Sequence, residues 1–334
     1  MPKENRMRTS LFSALFSLIV FASFGHEVKA NEVFGYSLTT DVVYGTGKIT
    51  EDGTVRERDL LMDVYLPSAP SLNVKNKPAV VLVHGGAFHR GGLRQPSYRE
   101  VGAVHSAMQD WARLLAPLGY ACFVIEYRLS PELPIPDMAS DAEGLQSFQE
   151  TITDAGLART NFARGAMGLP PLKKEDKIII WNGVLSAAED LNKAVMKIRA
   201  SAEEYGVDPE RIGMGGHSAG AATVLNAAYG IKSPVKAAFS MSPPVLGYDF
   251  KKSINSPKLP PMLIIISQFD LDAVYEGVPN LRENAKDARL EYNLVWVPGF
   301  GHFYPTGAVS LGDDGIRTSV GERVTQFLEN YLMD

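Results

Sequence analysis

Length, composition and charge limit the classes of protein to which this chain can belong. The chain has 334 residues, of which 45% are hydrophobic, and its 33 Lys and Arg against 38 Asp and Glu give a net charge of −5. An acidic excess argues against nucleic acid as a partner, because a phosphate backbone is bound by clustered Lys and Arg. The length suits one large α/β core, and the single cysteine, Cys122, excludes an intrachain disulfide.

Residues 1–30 are predicted to be a signal peptide that is removed from the mature protein. Three basic residues near the start precede an apolar run at 11–24, which is shorter than the roughly 20 residues of a membrane span. Val28 and Ala30 then supply small or aliphatic residues at the two positions that signal peptidase reads. An uncleaved anchor or a disordered tail is the alternative. The prediction is export to the periplasm or the extracellular space, with 31–334 as the folded domain and no stable membrane association after cleavage.

From residue 60 onwards, short β-like runs alternate with longer helical patterns. Continuous aliphatic runs are typical of strands that are buried on both faces of a parallel sheet. Strands are predicted at 60–66, 79–83, 121–126, 212–216, 235–240, 262–266 and 294–297. Helices are predicted at 101–118, 187–205, 219–228 and 316–332. The alternation predicts an α/β fold with a doubly wound, mostly parallel sheet.

One long stretch, residues 137–185, interrupts this alternation. It contains a helical pattern at 141–157 and then sequence rich in Gly and Pro. A connection this long in a compact α/β domain should carry its own structure, and such segments often cover an active site. We predict a helical cap insertion whose inner face binds substrate through Phe162, Met167 and Leu169. The alternative is a surface excursion that packs on the back of the sheet.

The pattern Gly-x-Ser-x-Gly occurs at residues 216–220, between a predicted strand and a predicted helix made of small residues. A serine hydroxyl is a poor nucleophile unless a base takes its proton and the backbone holds its oxygen outward. The two glycines make room for the sharp strand-to-helix turn that achieves this. The pattern alone is a weak signal, but its strand–turn–helix context predicts that Ser218 is a nucleophile.

A second glycine-rich turn, His-Gly-Gly-Ala at residues 84–87, directly follows a predicted strand. Its small residues allow the N–H groups of Gly85 and Gly86 to point into a cavity. Together with the N–H of Ala219 they are predicted to bind the oxyanion of a tetrahedral intermediate. The histidine of this turn is predicted to orient the loop, and Phe88 beside it to contact substrate. An ordinary glycine turn is the alternative.

The general base should follow the nucleophile and the acid in chain order. His302 lies in a glycine-flanked loop just past the last predicted strand, from which it can reach over the sheet edge toward Ser218. The remaining histidines of the folded domain either precede the serine or lie inside its turn, and each can be an ordinary core or surface residue. His302 is therefore the predicted base.

The acid should lie at the end of the strand between nucleophile and base. The predicted strand 262–266 leads into a loop with two candidates, Asp270 and Asp272. Asp270 comes first after the strand, where its carboxylate can reach the imidazole of the base and remain buried. We therefore favour Asp270, and the other aspartate would be a solvated loop acid or a helix N-cap.

Four segments together resemble the hormone-sensitive-lipase-like carboxylesterases and related secreted α/β-hydrolases. They are Val-His-Gly-Gly-Ala-Phe at 83–88, Glu-Tyr-Arg-Leu-Ser-Pro-Glu at 126–132, Val-Asp-Pro-Glu-Arg-Ile at 207–212 and Gly-His-Ser-Ala-Gly at 216–220. The resemblance implies the α/β-hydrolase fold and hydrolysis of a small-molecule carboxylic ester through an acyl-enzyme on Ser218, with no cofactor and no metal. It places the oxyanion pair on Gly85 and Gly86, the acid on Asp270 and the base on His302.

The chain departs from the family pattern in three places. Ala87 stands where a third glycine is commoner, and Ser130 stands where alanine is usual. The insertion at 137–185 precedes the nucleophile, so the substrate pocket of the family cannot be carried over. An amidase or peptidase, or an esterase for aryl or acetyl esters of plant-wall sugars, is an alternative on the same scaffold. A non-catalytic binding protein is the alternative from another class, although such proteins usually lose a triad residue or the glycines, all of which this chain has.

Overall fold

The computed structural model describes residues 35–68, 76–137 and 144–333. The segment predicted to be a signal peptide and residues 138–143 of the predicted insertion lie outside the described residues. The described chain is built from strands and helices that alternate in sequence from residue 77 onwards.

The strands form one large sheet and one small hairpin. In chain order they are β1 (Gly35–Glu51), β2 (Thr54–Ser68), β3 (Lys77–Val83), β4 (Tyr98–Glu100), β5 (Ala103–His105), β6 (Ala121–Ile125), β7 (Val207–His217), β8 (Ala237–Met241), β9 (Met262–Phe269), β10 (Tyr292–Gly301), β11 (Val309–Gly312) and β12 (Arg317–Ser319). The sheet runs β1-β2-β6-β3-β7-β8-β9-β10-β11-β12, and β4 pairs with β5. Its six central strands, β6, β3, β7, β8, β9 and β10, are parallel to one another, and the strands at both edges pair antiparallel.

Helices cover both faces of this sheet. In chain order they are α1 (Met108–Leu115), α2 (Phe148–Thr151), α3 (Asp154–Ala166), α4 (Lys177–Ala200), α5 (Ala202–Tyr205), α6 (Ala219–Leu225), α7 (Phe250–Ser253), α8 (Asp272–Asp287) and α9 (Val320–Leu332). A π-helical turn, Asn226–Ile231, continues α6.

The core consists of two apolar layers, one on each face of the sheet. Alternate residues of β3 enter different layers, because successive side chains of a strand point to opposite faces: Val81 belongs to the layer that includes residues of α4, α6 and α8, whereas Leu82 belongs to the layer that includes Trp111 of α1 and Phe327 of α9. Helices on both faces of a mostly parallel sheet confirm the predicted doubly wound α/β architecture.

Three predicted helices have different bounds in the structure. The predicted helix 101–118 is instead a hairpin followed by the short α1, because Val101 and Gly102 both have positive φ (50° and 81°) and so form the tight turn between β4 and β5. The predicted helix 187–205 begins earlier, at Lys177, so the apolar run 178–181 belongs to α4, where Ile180 and Trp181 are buried and Ile178 is exposed. The predicted helix 316–332 begins at Val320, because Arg317–Ser319 forms β12.

Candidate active site

The nucleophile candidate Ser218 lies on the turn between β7 and α6. Its backbone has φ 56° and ψ −121°, a combination that L-residues rarely adopt and that is typical of a strained nucleophile turn. The glycines at both ends permit the turn, because a Cβ on Gly216 would lie 2.6 Å from the backbone of Gly220, and a Cβ on Gly220 would collide with the carbonyl oxygen of Val83. The turn therefore presents the Ser218 side chain above the carboxyl end of the sheet.

The structure brings Ser218, His302 and Asp270 into one hydrogen-bonded chain. His302 Nε2 lies 2.7 Å from Ser218 Oγ, and His302 Nδ1 lies 2.7 Å from Asp270 Oδ1. Strand register explains the second contact, because Phe269, the last residue of β9, pairs with Gly301, the last residue of β10. Asp270 and His302 directly follow these two residues and are therefore neighbours. All three side chains are largely buried.

Asp270 is held as a carboxylate by several donors. Its Oδ2 accepts hydrogen bonds from Ser242 Oγ at 2.5 Å and from the backbone N–H and Oγ of Ser267 at 3.1 and 3.0 Å. Burial alone would raise the pKa of Asp270, but the hydrogen bond and charge of His302, together with these donors, hold that pKa below its usual range. Asp272, the other candidate acid, is the exposed first residue of α8, and the carboxylate that contacts His302 Nδ1 is that of Asp270.

The predicted oxyanion groups lie next to the nucleophile. Gly85 is in backbone contact with the nucleophile turn, since a Cβ on this residue would lie 3.2 Å from Ser218 Cβ. Across the described residues, the N–H groups of Gly85, Gly86 and Ala219 donate to no protein acceptor, so all three are available to a ligand. His84, which is predicted to orient this loop, stacks on Tyr127 with the two ring centroids 4.4 Å apart, and burial lowers the pKa of its imidazole to about 4.

Two histidines that sequence reasoning did not assign to the site hold the base loop. His217 Nε2 donates a hydrogen bond to the carbonyl oxygen of His302 at 2.8 Å, and His105 Nδ1 donates one to the carbonyl oxygen of Tyr304 at 3.2 Å. Their rings contact each other in a tilted arrangement, with centroids 4.1 Å apart. Burial lowers the pKa of both imidazoles, to about 3 for His105 and well below the ordinary value for His217. The only sequence signal for this contact is the position of His217 directly before the serine.

A cavity of about 830 Å³ opens above Ser218. Its floor includes Phe88 and Ala219, and α2, α3 and the start of α4 contribute one wall through Ile152, Thr160 and Ile180. The segment predicted to be a cap thus lines the same cavity as the nucleophile. Phe88, which the sequence predicts to contact substrate, lines this cavity.

Phe162, Met167 and Leu169 do not line this cavity, although the sequence predicted that they would bind substrate. Phe162 and Met167 are 57% and 40% exposed. For Phe162 the reason is the phase of α3, whose buried face carries Leu157, Thr160, Ala163 and Arg164 instead. Met167 and Leu169 follow Ala166, the last residue of α3, and so belong to neither of its faces. A helix places side chains on one face only at spacings of three and four residues, so its exact bounds decide which residues point inward.

Among the described residues, no similar cluster of side chains supports thiol or metal-ion chemistry. Cys122 is buried in β6, where burial strongly raises the pKa of its thiol, so the thiol remains protonated. The described ranges contain no group of three or more His, Cys, Asp or Glu side chains that could hold a metal ion. Within those same ranges, no helix is both long and apolar enough to cross a membrane.

Comparison with protein families and curated proteins finds two partial likenesses. The family model described as BD-FAE matches residues 62–148, which include the predicted oxyanion loop but end before Ser218. Two non-reducing polyketide synthases of Penicillium brasilianum, ausA and prhL, are 31% and 30% identical over 123 and 129 residues. These matches cover 35% and 37% of this chain but only 4% and 5% of the synthases.

Solved structures similar to this chain include those of Thermogutta terrifontis esterase 2. The form phosphorylated by paraoxon has a TM-score of 0.50 and 19% identity, over 79% of this chain and 84% of the esterase. The butyrate-bound form has a TM-score of 0.50 and 18% identity, over 78% and 84% of the two chains. At this identity the likeness concerns the fold, and it confirms the α/β-hydrolase fold predicted from the sequence.

Proposed function

We propose that this chain, an α/β-hydrolase with the fold of known serine esterases, hydrolyses small carboxylic esters through an acyl-enzyme on Ser218. One observation carries the proposal: Ser218, His302 and Asp270 form an unbroken hydrogen-bonded chain at the floor of an open cavity. A nucleophile, a base within hydrogen-bond reach and an acid that orients the base are the arrangement that acyl transfer requires.

The proposed reaction has two halves. His302 takes the proton of Ser218 as the hydroxyl oxygen attacks the ester carbonyl, and the N–H groups of Gly85, Gly86 and Ala219 stabilise the resulting oxyanion. The intermediate then expels the alcohol, which receives the proton from His302. Water enters, loses a proton to His302 and attacks the acyl-enzyme, releasing the carboxylic acid and regenerating the serine.

The comparisons support an ester as the substrate class. The BD-FAE model belongs to an esterase-type α/β-hydrolase family, and the structural relatives are esterases, one of them captured after phosphorylation by paraoxon and another with butyrate. An amide or peptide substrate, or an aryl or acetyl ester of a plant-wall sugar, is the alternative on the same triad. For the cellular location, the N-terminal sequence supports export to the periplasm or the extracellular space.

Covalent labelling tests the proposal directly. We expect a fluorophosphonate probe to label the wild-type protein at Ser218, and Ser218→Ala to abolish both labelling and turnover of p-nitrophenyl acetate, with a loss in kcat of about 10⁶. Ser37→Ala, which changes an exposed serine of β1, is the matched control and should retain both.

Two outcomes would contradict the proposal. Labelling that survives in Ser218→Ala would place the nucleophile elsewhere. An unlabelled wild-type protein that also fails to turn over p-nitrophenyl esters, feruloyl esters and peptide amides would favour the binding protein that the fold alone permits.

A further inference from the structure

Arg159 is a cationic side chain that α3 places in the wall of the active-site cavity. Its guanidinium carbon lies 5.2 Å from the ring centroid of Phe162 and 5.9 Å from that of Phe303. Phe303 directly follows the catalytic His302, and their ring centroids are 5.0 Å apart. The two aromatic rings therefore hold the guanidinium beside the reacting groups by cation–π contact.

The acidic partner of Arg159 is already engaged by a different arginine. Both oxygens of Glu100 accept hydrogen bonds from Arg90 Nη2, at 2.8 and 2.7 Å. Arg159 reaches the same carboxylate through one contact of 3.4 Å. A guanidinium has five N–H donors, so most of the donor capacity of Arg159 is unused among the described residues. One carboxylate shared by two guanidiniums also leaves an excess positive charge on this side of the cavity.

The rest of the cavity lining carries mostly acidic side chains: Glu150, Asp249, Asp272, Glu276, Glu283 and Asp287. Lys251 is the other Lys or Arg side chain that lines the cavity. Because like charges repel, a negatively charged group on a substrate is disfavoured beside these carboxylates and favoured beside Arg159.

On the premise of the proposed esterase function, we infer that Arg159 binds a carboxylate of the substrate, so that the preferred substrates are esters that also carry a free carboxylate. A planar guanidinium that is held by cation–π contacts offers paired N–H donors to a carboxylate. The carboxylate would lie on the α3 side, within reach of Arg159, while the scissile carbonyl lies over Gly85 and Ala219. Arg159 then determines specificity, and it takes no part in bond breaking.

Matched ester pairs test this assignment. The first pair is p-carboxyphenyl acetate and p-carbamoylphenyl acetate, which carry the carboxylate or its neutral amide on the alcohol side. The second pair, mono-p-nitrophenyl adipate and the p-nitrophenyl ester of adipamic acid, carries them on the acyl side. We expect Arg159→Met to lower the carboxylate-to-amide ratio of kcat/KM by about tenfold in at least one pair, the order expected for a charge-assisted hydrogen bond. Comparing each ratio with that of the wild type cancels the intrinsic reactivity of the esters.

Two further variants separate recognition from structure and from net charge. Arg159→Lys keeps the charge but loses the fork of donors, so part of the carboxylate preference should remain. Arg99→Met removes an exposed positive charge on β4, next to Glu100 and outside the cavity, and should leave the ratio unchanged.

The inference fails if Arg159→Met leaves both ratios at their wild-type values, or lowers them no more than Arg99→Met does. That failure is distinct from failure of the esterase proposal, because the neutral esters would still be hydrolysed and Ser218 would still be labelled. A protein that hydrolyses none of the esters refutes the proposed function itself.

Discussion

The catalytic floor and the cap wall of the same cavity are built in different ways. On the floor, Ser218, Asp270 and His302 each follow the end of a parallel strand, and their side chains are largely buried and hydrogen-bonded. On the wall, α3 presents one partly buried face to the cavity and leaves Phe162 and Met167 in solvent. The floor is fixed by sheet register, whereas the wall is fixed by the rotation of a helix.

This difference separates chemistry from specificity. Strand register is specified by the continuous apolar pattern of buried strands, so a displaced triad residue would disturb the whole core. A wall helix can rotate or shift while the sheet remains intact, and each shift presents new side chains to the substrate. Variants on the floor should therefore change the rate for every ester, whereas variants on the wall should change the order of preference among esters.

The largest effect that tests this comparison is expected at Asp270. Asp270→Asn should lower kcat by about 10⁴, because an amide that donates to His302 Nδ1 stabilises the wrong imidazole tautomer. The loss should be similar for short and long acyl chains, measured as kcat on p-nitrophenyl esters. Asp272→Asn, two residues further on at the exposed start of α8, is the matched control and should change kcat little. A larger loss in Asp272→Asn would mean that the acid is misassigned.

The sequence alone predicts that Ser218, Asp270 and His302 lie together, because each of them follows a short, local signal. Gly216 and Gly220 identify the nucleophile turn, and the first aspartate and the glycine-flanked histidine after two successive strands identify Asp270 and His302. Parallel strands bring such positions to one edge of a sheet, so chain order alone places them together.

His217 was missed for a reason that also follows from register. Its hydrogen bond to the carbonyl oxygen of His302 joins residues 85 positions apart, and its position directly before Ser218 does not by itself identify His302 as the partner. The wall was missed for a different reason: whether Phe162 faces the cavity depends on where α3 begins, and Met167 and Leu169 lie beyond its last residue, Ala166. Thr153, whose side chain caps α3 by accepting from the N–H of Gly156, sets that beginning.

A smaller effect, on preference rather than rate, is expected at Ile152. This residue is buried between α2 and α3 and lines the cavity, so Ile152→Ala enlarges the cavity by removing most of the side chain. We expect the ratio of kcat/KM for p-nitrophenyl hexanoate to that for p-nitrophenyl acetate to change by about tenfold, the lower end of what one methylene in an apolar pocket is worth. The ratio does not depend on how much of the variant is folded, so a loss of stability cannot imitate the effect.

Met167→Ala is the matched control for the wall, because it removes an apolar side chain of the same segment from the solvent face. Its chain-length profile should be that of the wild type. If Met167→Ala changes the profile and Ile152→Ala does not, the substrate contacts the side of this segment that carries Met167, and the side that carries Ile152 does not contact it. If both leave the profile unchanged, the wall does not select the acyl chain.

The smallest expected effect concerns stability and pH on the floor. The pKa of Asp270 lies below its usual range in the folded protein, because the hydrogen bond and charge of His302 and the donors Ser242 and Ser267 outweigh burial. A carboxyl whose folded-state pKa is lowered contributes stability that is present above its unfolded value, about 3.9, and is lost as the pH falls through the folded-state pKa. The free energy of unfolding of the wild type minus that of Asp270→Asn should thus be largest near neutral pH and should shrink below about pH 4. Urea denaturation at a series of pH values measures it, and Asp272→Asn should stay within about 0.5 kcal/mol of the wild type, as exposed substitutions do. A difference for Asp270→Asn that grows as the pH falls would mean that the floor holds this carboxyl in its protonated form, and the buried donors around it would then stabilise structure without preparing His302 for proton transfer.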